Sequence, residues 1–108
     1  MSEPRANPEL HPLADIDPII HAQGRLMILT YLYVVESADY VFLMRLTGLT
    51  WGNLATHLNK LEEAGYIEIQ KKFEGKKPKS LLRMTEDGRK AFRAYKNNLK
   101  QVLDDLPE

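Results

Sequence analysis

Residues 47–66 read TGLTWGNLATHLNKLEEAGY. Within them Leu54, Leu58 and Leu61 recur at i, i+4 and i+7, a single stripe on a helix that turns 100° per residue. Gly48 stands before this segment and Gly65 closes it, so the predicted helix covers about 51–64. A stripe this narrow has to lie on a core built by the rest of the chain, with the other sides left in water. Those other sides collect Gly52, Asn53, Thr56, Asn59, Lys60 and Glu63. Trp51 and His57 fall on the two flanks of the stripe. Thr50 fits the N-cap, with Leu49 and Leu54 at the two positions of a hydrophobic staple, and the capping-box position holds Asn53 rather than Glu. Inside a helix Gly is worse than Ala by about 1 kcal/mol. Gly52 therefore asks for a reason, and an outward glycine lets a backbone or an anion approach the helix amides.

Around this helix the pattern is regular. Residues 1–14 carry Pro4, Pro8 and Pro12 and read as a loose leader. Asp17-Pro18 has the form of a cap followed by a first helical residue, which predicts a helix over 18–36 with Leu26, Leu29, Leu32 and Tyr33 at helical spacing and a bend at Gly24. Asp39 caps a short helix over 40–47, with Leu43 and Leu46 inward. YIEIQKKF alternates as a strand, with Ile67, Ile69 and Phe73 on one face; EGKKPK is a turn; SLLRM is a second strand. Residues 66–84 thus form a hairpin. Thr85, followed by Glu86 and Asp87, caps a last helix that runs to about Leu106.

The 108 residues suffice for one domain, and 44% apolar side chains for a small core. The chain has no cysteine, which excludes disulfides and thiolate metal sites and fits a reducing cytoplasm. No apolar run approaches the roughly 18 residues of a membrane span. His11, His21 and His57 lack metal-ligand spacing, so neither a metal nor a cofactor is expected. Without a Gly-rich phosphate loop, paired carboxylates or a Ser-His-acid set, an enzyme is not expected either. Fifteen basic residues balance fifteen acidic ones, but they are sorted. Residues 1–19 set Arg5 against Glu3, Glu9, Asp15 and Asp17; residues 70–83 set Lys71, Lys72, Lys76, Lys77, Lys79 and Arg83 against Glu74 alone.

Two helices joined by a short Gly-bearing turn, then a basic hairpin, describe a winged helix-turn-helix: mainly α with a small β-hairpin and a C-terminal dimerisation helix. In DPIIHAQGRLMIL, LTGLTWGNLATHLNKLEEAGYI, KKFEGKKPKS and RMTEDGRKAF the chain resembles the small winged-helix transcription regulators of the MarR/ArsR type, above all their single-domain group. The resemblance implies double-stranded DNA binding by a homodimer, with the helix over 51–64 in the major groove and the basic hairpin, 74–79, along the backbone. It departs from the family at Ala55 and Thr56, where a Ser and a basic residue are common. It departs again at Gln23-Gly24, where Pro is frequent, and at Val41 and Phe42, where polar residues are expected.

The expected DNA contacts are Thr50, Gly52, Asn53, Thr56, Asn59 and Lys60 on the helix, with Lys76, Lys77, Lys79 and Arg83 on the hairpin. Asn can pair with adenine N6 and N7, and lysines neutralise phosphates. The plain alternative is a solvated polar face and a lysine-guarded strand edge. Phe92, Tyr95, Leu99, Val102 and Leu106 are spaced 3, 4, 3, 4, the seam of a short coiled coil. Phe92 is expected to pack on its own domain, and Tyr95, Leu99, Val102 and Leu106 to face a second copy. The domain reading is 1–14 leader, 15–90 winged-helix domain, 91–108 the end of the dimerisation helix. Two further possibilities stay open. One is a protein-interaction module, suggested by outward Val41 and Phe42. The other is a small-molecule effector site near the dimer interface lined by Tyr31, Tyr33, Tyr40 and Trp51, against which stands ordinary aromatic core packing.

Overall fold

The computed structural model describes residues 15–107; the expected leader, 1–14, lies outside them. Helix α1 spans Gln23–Val34, strand β1 Ala38–Asp39, helix α2 Tyr40–Thr47 and helix α3 Trp51–Glu63. Strand β2 (Ile67–Glu74) and strand β3 (Lys77–Met84) follow, and helix α4 spans Glu86–Asp104. The antiparallel sheet has the order β1-β3-β2. This is the winged helix-turn-helix.

Side chains close the helix starts where the sequence places them. Asp39 accepts the N–H of Phe42 at 2.8 Å, Thr50 that of Asn53 at 3.1 Å and Thr85 that of Gly88 at 2.9 Å. Gly48 and Gly65 take positive φ, 72° and 82°, which ends α2 and turns the chain after α3. The core consists of Ile20, Ile28, Leu29 and Leu32, Leu43, the three stripe leucines of α3, and Leu82, all fully buried.

Four features differ from the sequence reading. The first helix begins at Gln23, not at residue 18. Asp17 forms a turn instead, its carboxylate accepting the Ile19 N–H at 2.8 Å and its carbonyl the His21 N–H at 2.9 Å. Gly24 marks no bend: it lies in the first turn of α1 against the His57 ring, where a Cβ would stand 2.5 Å from Nε2. Two residues, Ala38 and Asp39, pair with Leu82 and Leu81 and add a third strand too short to show a period in sequence. The hairpin turn is also tighter than EGKKPK suggests. Glu74 pairs with Lys77, leaving Gly75 (φ 64°) and Lys76 as the two loop residues. Pro78 is tolerated inside β3 because β1 reaches only Leu81 and Leu82, so that side of Pro78 has no strand to bond. Phe73 shares the face of Ile67 and Ile69 but is 76% exposed: that face of β2 covers the core at the two isoleucines, then runs past it.

The hairpin is tied to α4 at one backbone carbonyl. Tyr66 O accepts the Thr85 N–H at 3.0 Å, and the Thr85 hydroxyl donates to Gly65 O at 2.6 Å. Gly88 presses on the same Tyr66 carbonyl, and a Cβ at Gly88 would overlap it. Gly52 has open space where a Cβ would go. Gly88→Ala should therefore lower the unfolding free energy by about 1–3 kcal/mol in urea titrations, since a backbone carbonyl cannot rotate away. Gly52→Ala should leave it unchanged or raise it by up to about 1 kcal/mol. Equal effects at the two glycines would contradict this packing.

Candidate nucleic-acid interface

Helix α3 turns Gly52, Asn53, Thr56, Asn59 and Lys60 to solvent, all exposed, as is Thr50 at its cap. Their hydrogen-bonding capacities differ. The Thr50 oxygen already accepts the Asn53 N–H, and the Thr56 hydroxyl donates to Gly52 O at 3.0 Å. Thr56 therefore presents a methyl group and oxygen lone pairs rather than a donor. Among the described residues nothing engages the carboxamides of Asn53 and Asn59 or the ammonium of Lys60, so both amide forks are free. The first turn of α3 contains no acidic residue, whereas that of α4 holds Glu86 and Asp87. Both helices carry a Thr cap, but only α3 leaves its positive end uncompensated, the arrangement that suits a phosphate.

The hairpin divides the basic cluster that sequence reads as one. Lys79 donates to Glu74 at 3.1 Å and lies 3.7 Å from Asp39; its ammonium pKa is raised, first by the Glu74 hydrogen bond. Arg83 is held by its cross-strand partner Glu68 at 3.2 Å. Lys76 and Lys77 are exposed at the tip, and neither forms an ion pair among the described residues. Lys71 and Lys72, weaker candidates because strand alternation sends some side chains away from a duplex, are exposed and unpaired in the same sense. The signal for this sorting was present in the alternation: Arg83 and Glu68 sit where a hairpin of this register brings opposite charges together.

Trp51 reaches away from the leucine stripe of α3. It stacks on Tyr40, the first residue of α2, with ring centroids 4.8 Å apart and planes 28° from parallel, and remains 56% exposed. Val41 and Phe42 point outward beside it. The four aromatics expected around one effector pocket are separated. Tyr40 and Trp51 face the hairpin across a cleft of about 540 Å³. Tyr31 borders a hollow of about 240 Å³ on α1, and Tyr33 packs on Phe92 beneath Arg89. Among the described residues no group of three acidic, His or Cys side chains could hold a metal ion, and no helix is long and apolar enough to cross a membrane.

Of the expected dimer seam, Tyr95 belongs to its own domain. It is 4% exposed and shares a 2.9 Å hydrogen bond with His21, so it has little surface left for a partner. Leu99 and Val102 are half-buried, and Leu106 is 61% exposed. Leu103, which sequence spacing left off the seam, is exposed as well. Helix α1 is apolar on nearly every side; Leu26, Met27, Tyr31 and Val34 remain wholly or partly uncovered.

The family model described as "Winged helix DNA-binding domain" matches residues 25–103. An uncharacterised protein of Methanocaldococcus jannaschii is 36% identical over 88 residues, covering 82% of this chain and 96% of that protein. A transcriptional regulator homologue from Pyrococcus horikoshii OT3 superposes with a TM-score of 0.75 at 28% identity, over 82% of this chain and 89% of its own. A transcriptional regulator of the MarR family from Enterococcus faecalis V583 shares the fold, with a TM-score of 0.64 at 20% identity over 88% and 87%.

His57, on the flank of α3, ties this surface to α1. Its Nδ1 lies 3.3 Å from Arg25 Nη1, and because a guanidinium can only donate, Nδ1 is an acceptor and the ring is neutral. Burial, then the Arg25 and Lys60 charges, lower its pKa from 6.5. The unfolded chain thus binds the proton more readily, and the contribution to stability is complete above about pH 6.5 and lost as pH falls through the lowered value. The melting temperature of the wild type should fall on acidification below about pH 6.5, and His57→Gln should flatten that part of the profile. Identical profiles for the two proteins would rule out this role.

Proposed function

This chain belongs to the winged helix DNA-binding domain family, and from that premise we propose that it is a sequence-specific regulator of transcription that binds duplex DNA as a homodimer. The carrying observation is the outward face of α3: two unengaged carboxamides, Asn53 and Asn59, beside a bare Gly52 at a helix start without acids. A major groove admits such a helix, and a carboxamide reads adenine through N6 and N7. Lys76 and Lys77 at the hairpin tip neutralise phosphates beside it, and Lys60 does so from α3. Lys79 and Arg83 act more weakly, each already paired with a carboxylate. The protein acts by binding and not by catalysis, in the cytoplasm where its DNA lies.

The dimer rests on the end of α4. Leu99 still packs against the core of its own domain, but Val102, Leu103 and Leu106 continue its apolar strip beyond it, and a second copy covers that strip. Two copies place two α3 helices on successive turns of one DNA face, which suits pseudo-palindromic sites. The exposed Val41 and Phe42 favour a second reading, a protein-interaction module that docks through the start of α2.

The two readings separate in an electrophoretic shift assay with random duplex. DNA binding requires retardation at low salt that weakens steeply as salt rises; none at any salt leaves the interaction module. Lys76→Ala/Lys77→Ala should weaken all sequences alike and lower the salt slope by about 1 for each phosphate that is no longer neutralised. Asn53→Ala should relax preference at one base position, by about 1–3 kcal/mol, in a selection from a random library. For the dimer, sedimentation at micromolar concentration should give twice the chain mass, and Val102→Lys/Leu106→Lys the monomer. A monomeric wild type would refute the seam.

A further inference from the structure

The hairpin carries an apolar feature that the core does not explain. In the register Phe73 stands directly opposite Pro78, one residue pair below the turn of Gly75 and Lys76. Opposed residues of an antiparallel pair share a face, with Cβ atoms about 4.5–5.5 Å apart, so ring and proline form one knob. Phe73 is 76% exposed, and Pro78 is exposed beside it. Inward along the same face come Lys71 and Ser80, then Ile69 and Leu82 against the core. Lys71, Lys72, Lys76 and Lys77 surround the knob in the hairpin, each exposed and without an ion pair among the described residues. Glu74 is its one acidic neighbour in the hairpin turn, and Lys79 holds that carboxylate at 3.1 Å. Packing on Pro78 steadies the hairpin but leaves most of the ring in water.

We propose that Phe73, backed by Pro78, inserts between two adjacent base pairs from the minor groove, so that the protein kinks the duplex it binds. A protein partner suits the knob poorly, because lysine is depleted from the centres of protein interfaces and here lysines ring the apolar pair. Duplex DNA answers both parts: phosphates meet the lysines, and the stacked bases between them are apolar. Phenylalanine and proline both serve as wedges that unstack a base step and bend the helix axis. Phe73 has no hydrogen bond to offer a base edge, so it selects by deformability and favours a step that unstacks easily, TA or CA/TG. This insertion rests on the DNA-binding reading above and adds to it a deformation that phosphate contacts alone do not require.

The full chain is mixed with a duplex of about 30 base pairs that carries a sequence selected from a random library and a dye at each end. Gel retardation establishes that the complex forms, and energy transfer between the dyes reads the bend. The wild type should bend the duplex by about 20–90°, and 2-aminopurine at the kinked step should brighten as it unstacks. Phe73→Thr keeps the strand propensity and removes the wedge. It should still retard the duplex, with bend and brightening lost, whereas Phe73→Leu should retain both in part. Replacing the TA or CA/TG step by AA should weaken the wild type about tenfold and Phe73→Thr by no more than about twofold. A retarded wild-type complex on straight DNA would overturn the wedge and leave the DNA-binding reading standing. So would a Phe73→Thr complex bent as far as the wild type. No retardation at any salt would remove the DNA-binding reading, and the wedge with it.

Discussion

The surface formed by α3 and the hairpin depends first on how α3 is seated. Leu54, Leu58 and Leu61 are fully buried, and the backbone of α1 comes so close at Gly24 that the His57 ring occupies the place of a Cβ. A helix held by three leucines in a row and by one flank cannot roll without opening cavities, and an opened leucine-sized cavity costs about 2–5 kcal/mol. Its outward face is thus decided by its inward one. Asn53, Thr56 and Asn59 face outward together because they lie opposite the leucines, and Arg25, donating to His57, holds the flank from α1.

The hairpin gets its direction from a different source. Tyr66 ends the turn after α3, and its carbonyl serves the Thr85 N–H while Gly88 packs against it. Its hydroxyl donates to Asp17 ahead of α1, and burial followed by that bond pushes its pKa up to about 12. One residue thus fastens the segment before α1, the exit of α3 and the entry of α4. The wing leaves the body from this knot, with Ile67 and Ile69 still on the core and the tip beyond it.

The order of elements and their caps were legible because each rests on local rules: a Thr or Asp oxygen on a helix start, a glycine after its end, a leucine every turn. What escaped reading depends on distant residues. Two-residue β1 exists only because Leu81 and Leu82 offer an edge. Gly24 reads as a bend and is a point of close packing, since the His57 ring that fills its space is far along the chain. Phe73 fits the alternation of its strand, yet no pattern tells how far the core extends beneath a strand. Tyr95 keeps the heptad spacing but lies on the domain side of α4, where His21 meets it. On the candidate interface the outward face of α3 followed from its period and the Arg83–Glu68 pair from the alternation of the hairpin, whereas Lys79 faces Lys72 in the register and finds Glu74 and Asp39 only in the folded chain.

That pairing bears on how a chain of zero net charge could engage a polyanion. Long-range attraction is weak for such a molecule, so binding must come from charges left free at short range. The hairpin holds six basic side chains, but Glu68, Glu74 and Asp39 occupy two of them, which leaves Lys71, Lys72, Lys76 and Lys77. Lys71 and Lys77 border the same cleft as Tyr40 and Trp51. The local surplus is therefore small, and each of these lysines is a large share of it. In a strongly basic protein the loss of one lysine would change little; in this one it removes a large part of the charge on which a nearby phosphate depends.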